Sequence, residues 1–426
     1  MTITNQAPRS TDPAVYESYA AKWAKLPSSA DEWLARAREV ADILRQDATQ
    51  RDAANASPVA EVALLKHSGL LKVVGREKYG GGGQPWSVGY AVTREVAKGD
   101  GSIGMLLGYH TLWSQIADIV GSEEQADALH KLYVTNNYYI GGAVNPRDND
   151  LKIKDLGDEI AYSGFKHFTT GAAISDLIVL EGAVESGEHI FAVVPTKQSG
   201  IEFAYNWNNV GLRLTESGSA TITDVRAPWS AALGWKDKKI DPAVLGVPYA
   251  TLLLPLIQLI FSNFYLGIAQ GALATAKGYT TTTTRPWPFG GDNKDKATDE
   301  FYILERYGNF YAHLTAAEAL TDKAGAAASA LIAKHAGNRA GLTARERGDF
   351  AELVASVKVV NTDTSLRVTG GLFEVTGARA TASKVGFDRF WRDVRTHTLH
   401  DPVAYKNREL GRYVLLDEVP EPTWYT

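Results

Sequence analysis

Hydrophobic periodicity changes twice along this chain, and the two changes limit the folds that it can adopt. From about Ala30 to Thr135, apolar residues recur at intervals of three and four, which is the spacing of amphipathic helices. Between about Ala143 and Pro228 they alternate with polar residues in short runs separated by Gly, Asn and Asp, which predicts short β-strands. Helical spacing returns from about Leu245. The order of helices, strands and helices predicts an α+β protein.

The length of the chain indicates more than one domain. Its 426 residues exceed the roughly 250–300 that one hydrophobic core usually serves. We predict a helical domain over residues 15–142, a β-domain over 143–240 and a helical bundle over 241–426. Within the bundle, residues 279–296 (YTTTTTRPWPFGGDNKDK) contain β-branched residues, prolines and glycines that disfavour a helix, so we predict a lid-like loop there.

The stretch Tyr249–Ala276 is long enough to be considered as a membrane span, which needs roughly 20 mainly apolar residues. Polar residues and a proline interrupt it, namely Pro255, Gln258, Ser262, Asn263 and Gln270. We therefore interpret it as a buried core helix. The polar N-terminal stretch lacks the apolar segment of a secretory signal, so we expect a cytoplasmic protein with no membrane partner.

Charge and cysteine content exclude several kinds of function. A formal net charge of −5 gives no basic surface for nucleic acid. The absence of cysteine excludes disulfides, thiolate nucleophiles, iron–sulfur clusters and cysteine zinc sites. The glycines Gly80–Gly83 lack the lysine-serine ending of a phosphate-binding loop, so we interpret them as a turn between helices.

Three motifs, in this order along the chain, carry a resemblance to a known family. They are GLLKVVGREKYGGGG, SGFKHFTTGAAISDLIVL and VTGGLFEVTGARATASKVGFDRFWRDVRTHTLHDP. They resemble the N-terminal loop, the flavin-contacting strand and the C-terminal signature of the acyl-CoA dehydrogenase superfamily, over about residues 30 to 405. The resemblance implies an N-terminal helical domain, a β-barrel-like middle domain and a C-terminal four-helix bundle.

Within that superfamily, the chain most resembles the dibenzothiophene monooxygenase-like (group D) flavin-dependent monooxygenases. The motifs are DGSIGMLLGYH, KHFTTGA, RPWP and GFDRFWRDVRTHTLHDPVAYK. The resemblance implies an enzyme that receives reduced FMN, with FAD as an alternative, from a separate flavin reductase. Such enzymes activate dioxygen as a C4a-(hydro)peroxyflavin and oxidise a sulfur or nitrogen atom of a small organic substrate. The resemblance also implies a homotetramer.

Two of the nine histidines, His397 and His400, lie three residues apart near the C-terminus. The resemblance places His400 or Asp401 where the dehydrogenases carry the glutamate that removes a substrate α-proton. We interpret His400 as a general acid/base, because an imidazole with a pKa of about 6.5 exchanges protons near neutrality. We expect His397 to face the same pocket as a further catalytic residue. The pair could instead be a surface or core feature, or a metal site for which no third ligand is evident, so we predict no metal.

The resemblance also nominates residues that contact the flavin. Thr170 would provide a catalytic hydroxyl, and Trp207 would line the flavin ring unless it is a core aromatic of the β-domain. Arg285, from a neighbouring subunit, and Arg379 match phosphate-binding arginines, although a solvated loop charge and a helix cap are the alternatives. The residues expected to bind the cofactor are Tyr109, Phe168, Thr170, Trp207, Arg285, Arg379 and His397.

Two positions depart from the pattern of the related oxygenases. Met105 stands where those relatives carry a histidine, and Gly142 stands where they carry an asparagine. Because both positions belong to the family's pocket, we expect a different substrate or a different way of stabilising bound oxygen. Two other functions stay open: an FAD-dependent acyl-CoA dehydrogenase with Asp401 as its base, and a flavin-free binding protein.

Overall fold

The computed structural model of the protein describes residues 11–145, 150–291 and 293–424. The first part of the chain is helical, as the periodicity predicts. Its helices are α1 (Ser18–Lys22), α2 (Ala30–Arg45), α3 (Ala48–Ala54), α4 (Val59–Ser68), α5 (Trp86–Gly99), α6 (Gly101–Ser114), α7 (Ile116–Val120) and α8 (Glu123–Asn136). Helix α2 begins where the Ser29 hydroxyl accepts a hydrogen bond from the Glu32 amide at 3.3 Å, a standard N-terminal cap.

The four consecutive glycines form a turn before α5, which agrees with their interpretation as a connection between helices. Gly82 lies against the indole of Trp33, so that a Cβ atom at this position would come within 2.5 Å of the ring and 2.7 Å of the Val73 carbonyl oxygen. The turn therefore needs glycine for close packing, and no ligand is required to explain it.

The middle of the chain forms one curled, mixed sheet and a small hairpin. The strands are β1 (Ile140–Ala143), β2 (Leu151–Asp155), β3 (Glu159–Lys166), β4 (Leu177–Ala183), β5 (His189–Pro195), β6 (Ile201–Phe203), β7 (Ala220–Pro228), β8 (Trp235–Lys236) and β9 (Lys239–Ile240). Their order in the sheet is β1-β4-β2-β3-β7-β6, and β5 pairs antiparallel with β4. Strand β4 is buried along its whole length, whereas β7 buries mainly one face, in keeping with its alternating sequence.

The last part of the chain is a helical bundle. Its helices are α9 (Leu253–Thr282), α10 (Phe301–His335), α11 (Ala344–Gly371), α12 (Phe373–Thr376), α13 (Asp388–His397) and α14 (Val403–Leu416). The segment Pro248–Thr282 is long and apolar enough to cross a membrane, but 89% of its most apolar window is buried inside the protein. Helix α9 packs against α5, α6, α10 and α11, so the interpretation of this stretch as a core helix is confirmed.

The loop predicted to begin at Tyr279 begins later, and that part of the prediction is wrong. Helix α9 continues through Thr282, and a tertiary contact holds its last turn, because the buried Thr280 hydroxyl donates to the Val375 carbonyl of α12 at 3.0 Å. Thr281 donates to the Lys277 carbonyl at 3.0 Å and Thr282 donates to the Gly278 carbonyl at 2.8 Å, so the β-branched side chains bond back to their own helix. Residue 292 of the predicted lid lies outside the described residues.

The three parts of the chain share one large core. A single cluster of buried apolar side chains includes Tyr109 of α6, Val179 of β4 and Phe261 of α9. Element type changes between Asn136 and Ile140 and again after Ile240, close to the predicted domain boundaries. Packing across these boundaries brings residues from all three parts to one place.

Candidate active site

The end of helix α13 places the two histidines together. His397 is the last residue of α13, and the His400 amide donates to the His397 carbonyl at 2.9 Å, which closes a turn. The two imidazole rings stack with centroids 5.1 Å apart and an angle of 14° between their planes. His397 is buried, whereas half of the His400 side chain is exposed. The His400 ring is therefore accessible to solvent and stacks on the buried His397 ring.

His397 connects two buried phenols. Its Nε2 lies 3.1 Å from the Tyr109 hydroxyl, and its Nδ1 lies 2.6 Å from the Tyr265 hydroxyl. Burial lowers the pKa of His397 well below its usual value, and the charges of His400 and Lys358 act in the same direction. Burial also raises the pKa of both tyrosines. This inner cluster is uncharged near neutral pH, and His397 orients the Tyr109 hydroxyl.

His400 is oriented by its neighbour in the sequence. Its Nδ1 lies 3.0 Å from one oxygen of Asp401, while the other oxygen accepts a hydrogen bond from Gln258 at 2.9 Å and pairs with Lys358. Burial alone would raise the pKa of the Asp401 carboxyl, but the His400 bond and the Lys358 charge hold it well below its usual range. A carboxylate held by three donors at so low a pKa is a weak base.

The second group of predicted residues follows strand β3. The Thr170 hydroxyl is buried and lies 2.9 Å from the Ser217 hydroxyl, which lies 2.7 Å from that of Thr215. Thr215 in turn donates to the Leu212 carbonyl at 2.9 Å, and the Leu212 amide donates to Asp393 of α13 at 2.7 Å. A chain of hydrogen bonds thus joins the β-domain loop to the helix that ends at the histidine pair.

Two aromatic residues form an open surface beside Thr170. Phe168 has a left-handed backbone with φ of 56° and leaves 63% of its surface exposed. Its ring meets Trp207 edge-on, with centroids 6.2 Å apart, and the Trp207 indole donates to the Leu212 carbonyl at 2.8 Å. Trp207 is only half-buried, so it is not a core aromatic. A strained backbone that presents an aromatic ring outward is typical of a ligand site.

Trp113 links the two groups and explains one departure from the family pattern. The Gly142 amide donates to the Thr170 carbonyl at 3.3 Å, and a Cβ atom on Gly142 would come within 2.6 Å of the Trp113 indole nitrogen. The Trp113 ring meets Tyr109 edge-on at 6.3 Å, and Met105 is buried one turn earlier on α6. Trp113 therefore occupies the space that a side chain at position 142 would need.

The two predicted phosphate-binding arginines lie elsewhere. Arg285 and Arg379 are both exposed, and neither side chain makes an ion pair or hydrogen bond among the described residues. The Thr284 hydroxyl donates to the Thr376 carbonyl at 3.2 Å, which brings the two arginine segments together. They lie beyond the far end of α9, whose residues 258 and 282 are about 36 Å apart at 1.5 Å per residue. Within one chain they do not join the histidine cluster.

Sequence reasoning missed the side chains that support the site. Lys358, Gln258 and Tyr265 all lie on bundle helices far along the chain from the residues they contact. A lysine within SVKVVN, or a glutamine within LPLIQLIF, is a polar residue on an otherwise apolar helix face. A polar residue in such a position is expected to be buried and to need a hydrogen bond or ion pair. This signal is present in the sequence.

Comparison with known proteins gives two family matches. Residues 29–134 match the N-terminal domain of acyl-CoA dehydrogenases, and residues 259–404 match the C-terminal domain. A dibenzothiophene monooxygenase from Mycolicibacterium goodii is 39% identical, covering 91% of this chain and 94% of the relative. A probable FMNH2-dependent monooxygenase, SfnC, from Pseudomonas putida is 38% identical, covering 92% of this chain and 97% of the relative.

A solved structure agrees with these matches along nearly the whole chain. The methanesulfinate monooxygenase MsuC from Pseudomonas fluorescens is 37% identical and superposes with a TM-score of 0.87. The alignment covers 92% of this chain and 99% of the MsuC chain. The similarity therefore includes the helical domain, the sheet and the bundle.

Proposed function

This chain belongs to the acyl-CoA dehydrogenase family and is a flavin-dependent monooxygenase, and we propose that it is the oxygenase of a two-component system. In this proposal it receives reduced FMN from a separate reductase and oxidises the sulfur atom of a small organic substrate. The observation that carries the proposal is the half-exposed imidazole of His400, held at Nδ1 by Asp401 and stacked on a buried neutral histidine. An imidazole so held can give and take a proton at Nε2.

The described residues fit a flavin nucleotide. Phe168 and Trp207 offer an exposed aromatic surface for a flat ring, and Thr170 lies beside them. Arg285 and Arg379 are exposed cations that suit a phosphate. FMN is favoured because SfnC is described as FMNH2-dependent. Reduced FMN, when bound, supplies the electrons with which dioxygen is activated.

The chain's own residues would then control protons and water. His400 holds or donates a proton at Nε2, while Asp401 keeps Nδ1 engaged. His397 orients the Tyr109 hydroxyl toward the same region, and the Thr170 hydroxyl is a second donor. The buried rings of Phe261 and Trp113 exclude water from this side of the site, which protects reactive oxygen species from loss to solvent.

A sulfur substrate is favoured over a nitrogen substrate by the names of two relatives, which act on dibenzothiophene and methanesulfinate. The dehydrogenase alternative is disfavoured by the geometry of Asp401. Its carboxylate binds Lys358, Gln258 and His400 and has a pKa well below its usual range, so it is a poor base for a carbon acid.

We propose a homotetramer in which a neighbouring subunit completes the flavin site. The separation of the arginines from the histidine pair along α9 supports this, because His397 contacts Tyr265 whereas the arginines lie beyond Thr282. Helix α10 also exposes large apolar side chains on one face, with Phe301 74%, Leu304 56% and Tyr311 68% exposed. Such a face is typical of a subunit interface.

The proposal is tested by isotope labelling. The purified protein is combined with a flavin reductase, NADH and FMN under ¹⁸O₂, with methanesulfinate and dibenzothiophene offered separately. One labelled oxygen per product molecule is expected, and only when the reductase is present. Unlabelled product would contradict the proposal, and so would oxidation of an acyl-CoA with an artificial electron acceptor under anaerobic conditions.

The role of His400 is tested by substitution with alanine. His400→Ala should lower product formation by roughly 10²-fold or more, because a general acid/base contributes 10²–10⁴-fold. FMN binding should change little, because His400 does not belong to the aromatic surface around Phe168. His67→Ala is a matched control, because His67 lies on α4 beside Glu17, outside the candidate site. If His400→Ala formed product as fast as the unmodified protein, the assignment of His400 as the general acid/base would be wrong.

A further inference from the structure

A buried lysine lies behind His400, and the reaction outlined above does not use it. Lys358 projects from the middle of α11, and only 1% of its side chain is exposed. Its ammonium pairs with the Asp401 carboxylate, on the same oxygen that accepts the hydrogen bond from Gln258 of α9. Burying a cation is unfavourable unless it is paired, so this lysine needs Asp401 in its present position.

Few charged groups face this pair. Helix α14 contributes Lys406 and Glu409, which form their own ion pair at 2.7 Å. Helix α13 contributes the neutral ring of His397, and α9 contributes Gln258 and the Phe261 ring. Burial lowers the pKa of Lys358, and the Asp401 carboxylate opposes that shift. Asp401 therefore contacts His400 directly, and Lys358 holds that carboxylate.

The two carboxylate oxygens of Asp401 make separate contacts. One oxygen lies 3.0 Å from His400 Nδ1, and the other is held by α9 and α11 through Gln258 and Lys358. Because the second oxygen is fixed by two helices of the bundle, the first cannot rotate away from the imidazole. An imidazole bound at Nδ1 by a carboxylate carries its proton there and leaves Nε2 for the reaction.

We propose that Lys358 is a positioning residue for the oxygenation reaction, acting on His400 through Asp401. It holds the carboxylate that keeps His400 protonated at Nδ1, with Nε2 facing the substrate. The reaction itself rests on the proposed function, whereas the arrangement of Lys358, Asp401 and His400 is tested on the protein without flavin. The competing explanation is that Lys358 only ties α11 to the turn after α13.

The first experiment measures the protonation of His400 in the free protein. Diethyl pyrocarbonate modifies neutral imidazoles, and mass spectrometry of the peptide containing His400 gives the pH at which modification is half-maximal. Asp401→Asn should shift that midpoint down, because an adjacent carboxylate stabilises the imidazolium. Lys358→Met should also shift it down if the lysine positions Asp401, because the released carboxylate turns away.

The direction of the shift separates positioning of Asp401 from a purely electrostatic effect of the lysine. If Lys358 were only a nearby charge, its removal would shift the midpoint up, since a cation opposes a second cation. Lys358→Arg should stay close to the unmodified protein, and Lys98→Met, which removes a lysine paired with Glu95 on α5, is the control. An unchanged or raised midpoint in folded Lys358→Met would overturn the proposal.

The second experiment measures the reaction with reductase and substrate. Lys358→Met should lower kcat by about tenfold or more and move the pH profile in the direction seen for Asp401→Asn. The KM of the substrate and the Kd of FMN should stay within about twofold, because Lys358 contacts neither. A structural tie alone would lower thermal stability without moving the pH profile. If the unmodified protein forms no product, the proposed function fails, and the modification midpoints still decide the role of Lys358.

Discussion

At the scale of single residues, Gly142 shows how a small change reshapes a site. Gly142 departs from the family pattern by lacking a side chain, and the Trp113 indole fills the space above it. The indole nitrogen of Trp113 is buried and has no hydrogen-bond partner among the described residues. The Trp113 indole and Gly142 therefore depend on each other for close packing. A change at either position alone should disturb the packing of Trp113 against Tyr109.

Gly142→Ala tests this pairing. A Cβ atom within 2.6 Å of the Trp113 ring must displace it, so the free energy of unfolding should fall by about 1–3 kcal/mol. Urea unfolding provides the measurement, and Trp113→Phe in the same chain should recover part of the loss. Gly278→Ala is the control, because that glycine has no atom within 4 Å and lies exposed on α9. Equal stability of Gly142→Ala and the unmodified protein would contradict the pairing.

At the scale of elements, His110 fastens helix α6 to strand β1. Its Nε2 donates to the Leu71 carbonyl at 2.8 Å, and its Nδ1 accepts from the Ile140 amide at 3.0 Å. Burial lowers the pKa of His110 to about 4, although the bond to Leu71 opposes the shift. Protonation of Nδ1 would remove the acceptor of the Ile140 amide. The join between the helices and the sheet therefore depends on a neutral imidazole.

The stability of this join should depend on pH. Because the pKa of His110 is lower in the folded protein than the usual 6.5, the unfolded chain binds a proton first as the pH falls. Its contribution is constant above about pH 6.5 and is lost toward pH 4, at ~1.4 kcal/mol per pH unit. Between pH 6.5 and 5 the unmodified protein should lose ~2 kcal/mol more than His110→Gln.

Urea unfolding at fixed protein concentration measures this difference. His397 contributes with the same sign, since its pKa is also lowered, but it is present in both proteins and cancels in the comparison. Above about pH 6.5 the two proteins should show parallel profiles, which serves as the internal control. Parallel pH profiles for His110→Gln and the unmodified protein below that pH as well would show that His110 is not the acid-sensitive join.

At the scale of the whole molecule, the long bundle separates the two groups of residues that the proposed flavin site needs, the histidine pair and the exposed arginines. The histidine pair lies near the start of α9, and the exposed arginines lie beyond its end. The core shared by all three parts of the chain makes each subunit rigid, so bending cannot close that distance. In the proposed homotetramer, association through the apolar face of α10 would bring one subunit's arginines to another subunit's site.

Mixing two inactive variants tests this arrangement. If the proposed arrangement holds, His400→Ala subunits would lack the acid/base, and Arg285→Ala subunits would lack a phosphate contact for their neighbour. Unfolding and refolding an equal mixture should restore activity in about one quarter of the sites, since a working site needs an intact histidine and a neighbour with an intact arginine. Refolding each variant alone is the control. A mixture no more active than the sum of its parts would show that Arg285 does not serve a neighbouring site.

Part of the site could be predicted from the sequence because its residues are close in the sequence. His397, His400 and Asp401 share one turn, so their proximity follows from spacing alone. Lys358 lies 43 residues from Asp401 and Tyr265 lies 132 residues from His397, so neither contact follows from local pattern. The helical continuation through Thr282 could not be predicted, because a tertiary contact between Thr280 and Val375 outweighs the low helix propensity of threonine.

The sequence by itself determined the order of helices and strands, the buried character of α9 and the family to which the chain belongs, because periodicity and motifs act over short stretches. Tertiary structure alone decided that Trp113 fills the space above Gly142, that Lys358 holds Asp401 and that the arginines lie far from the histidine pair. Those facts depend on which helix faces pack together, and packing is set by the whole core.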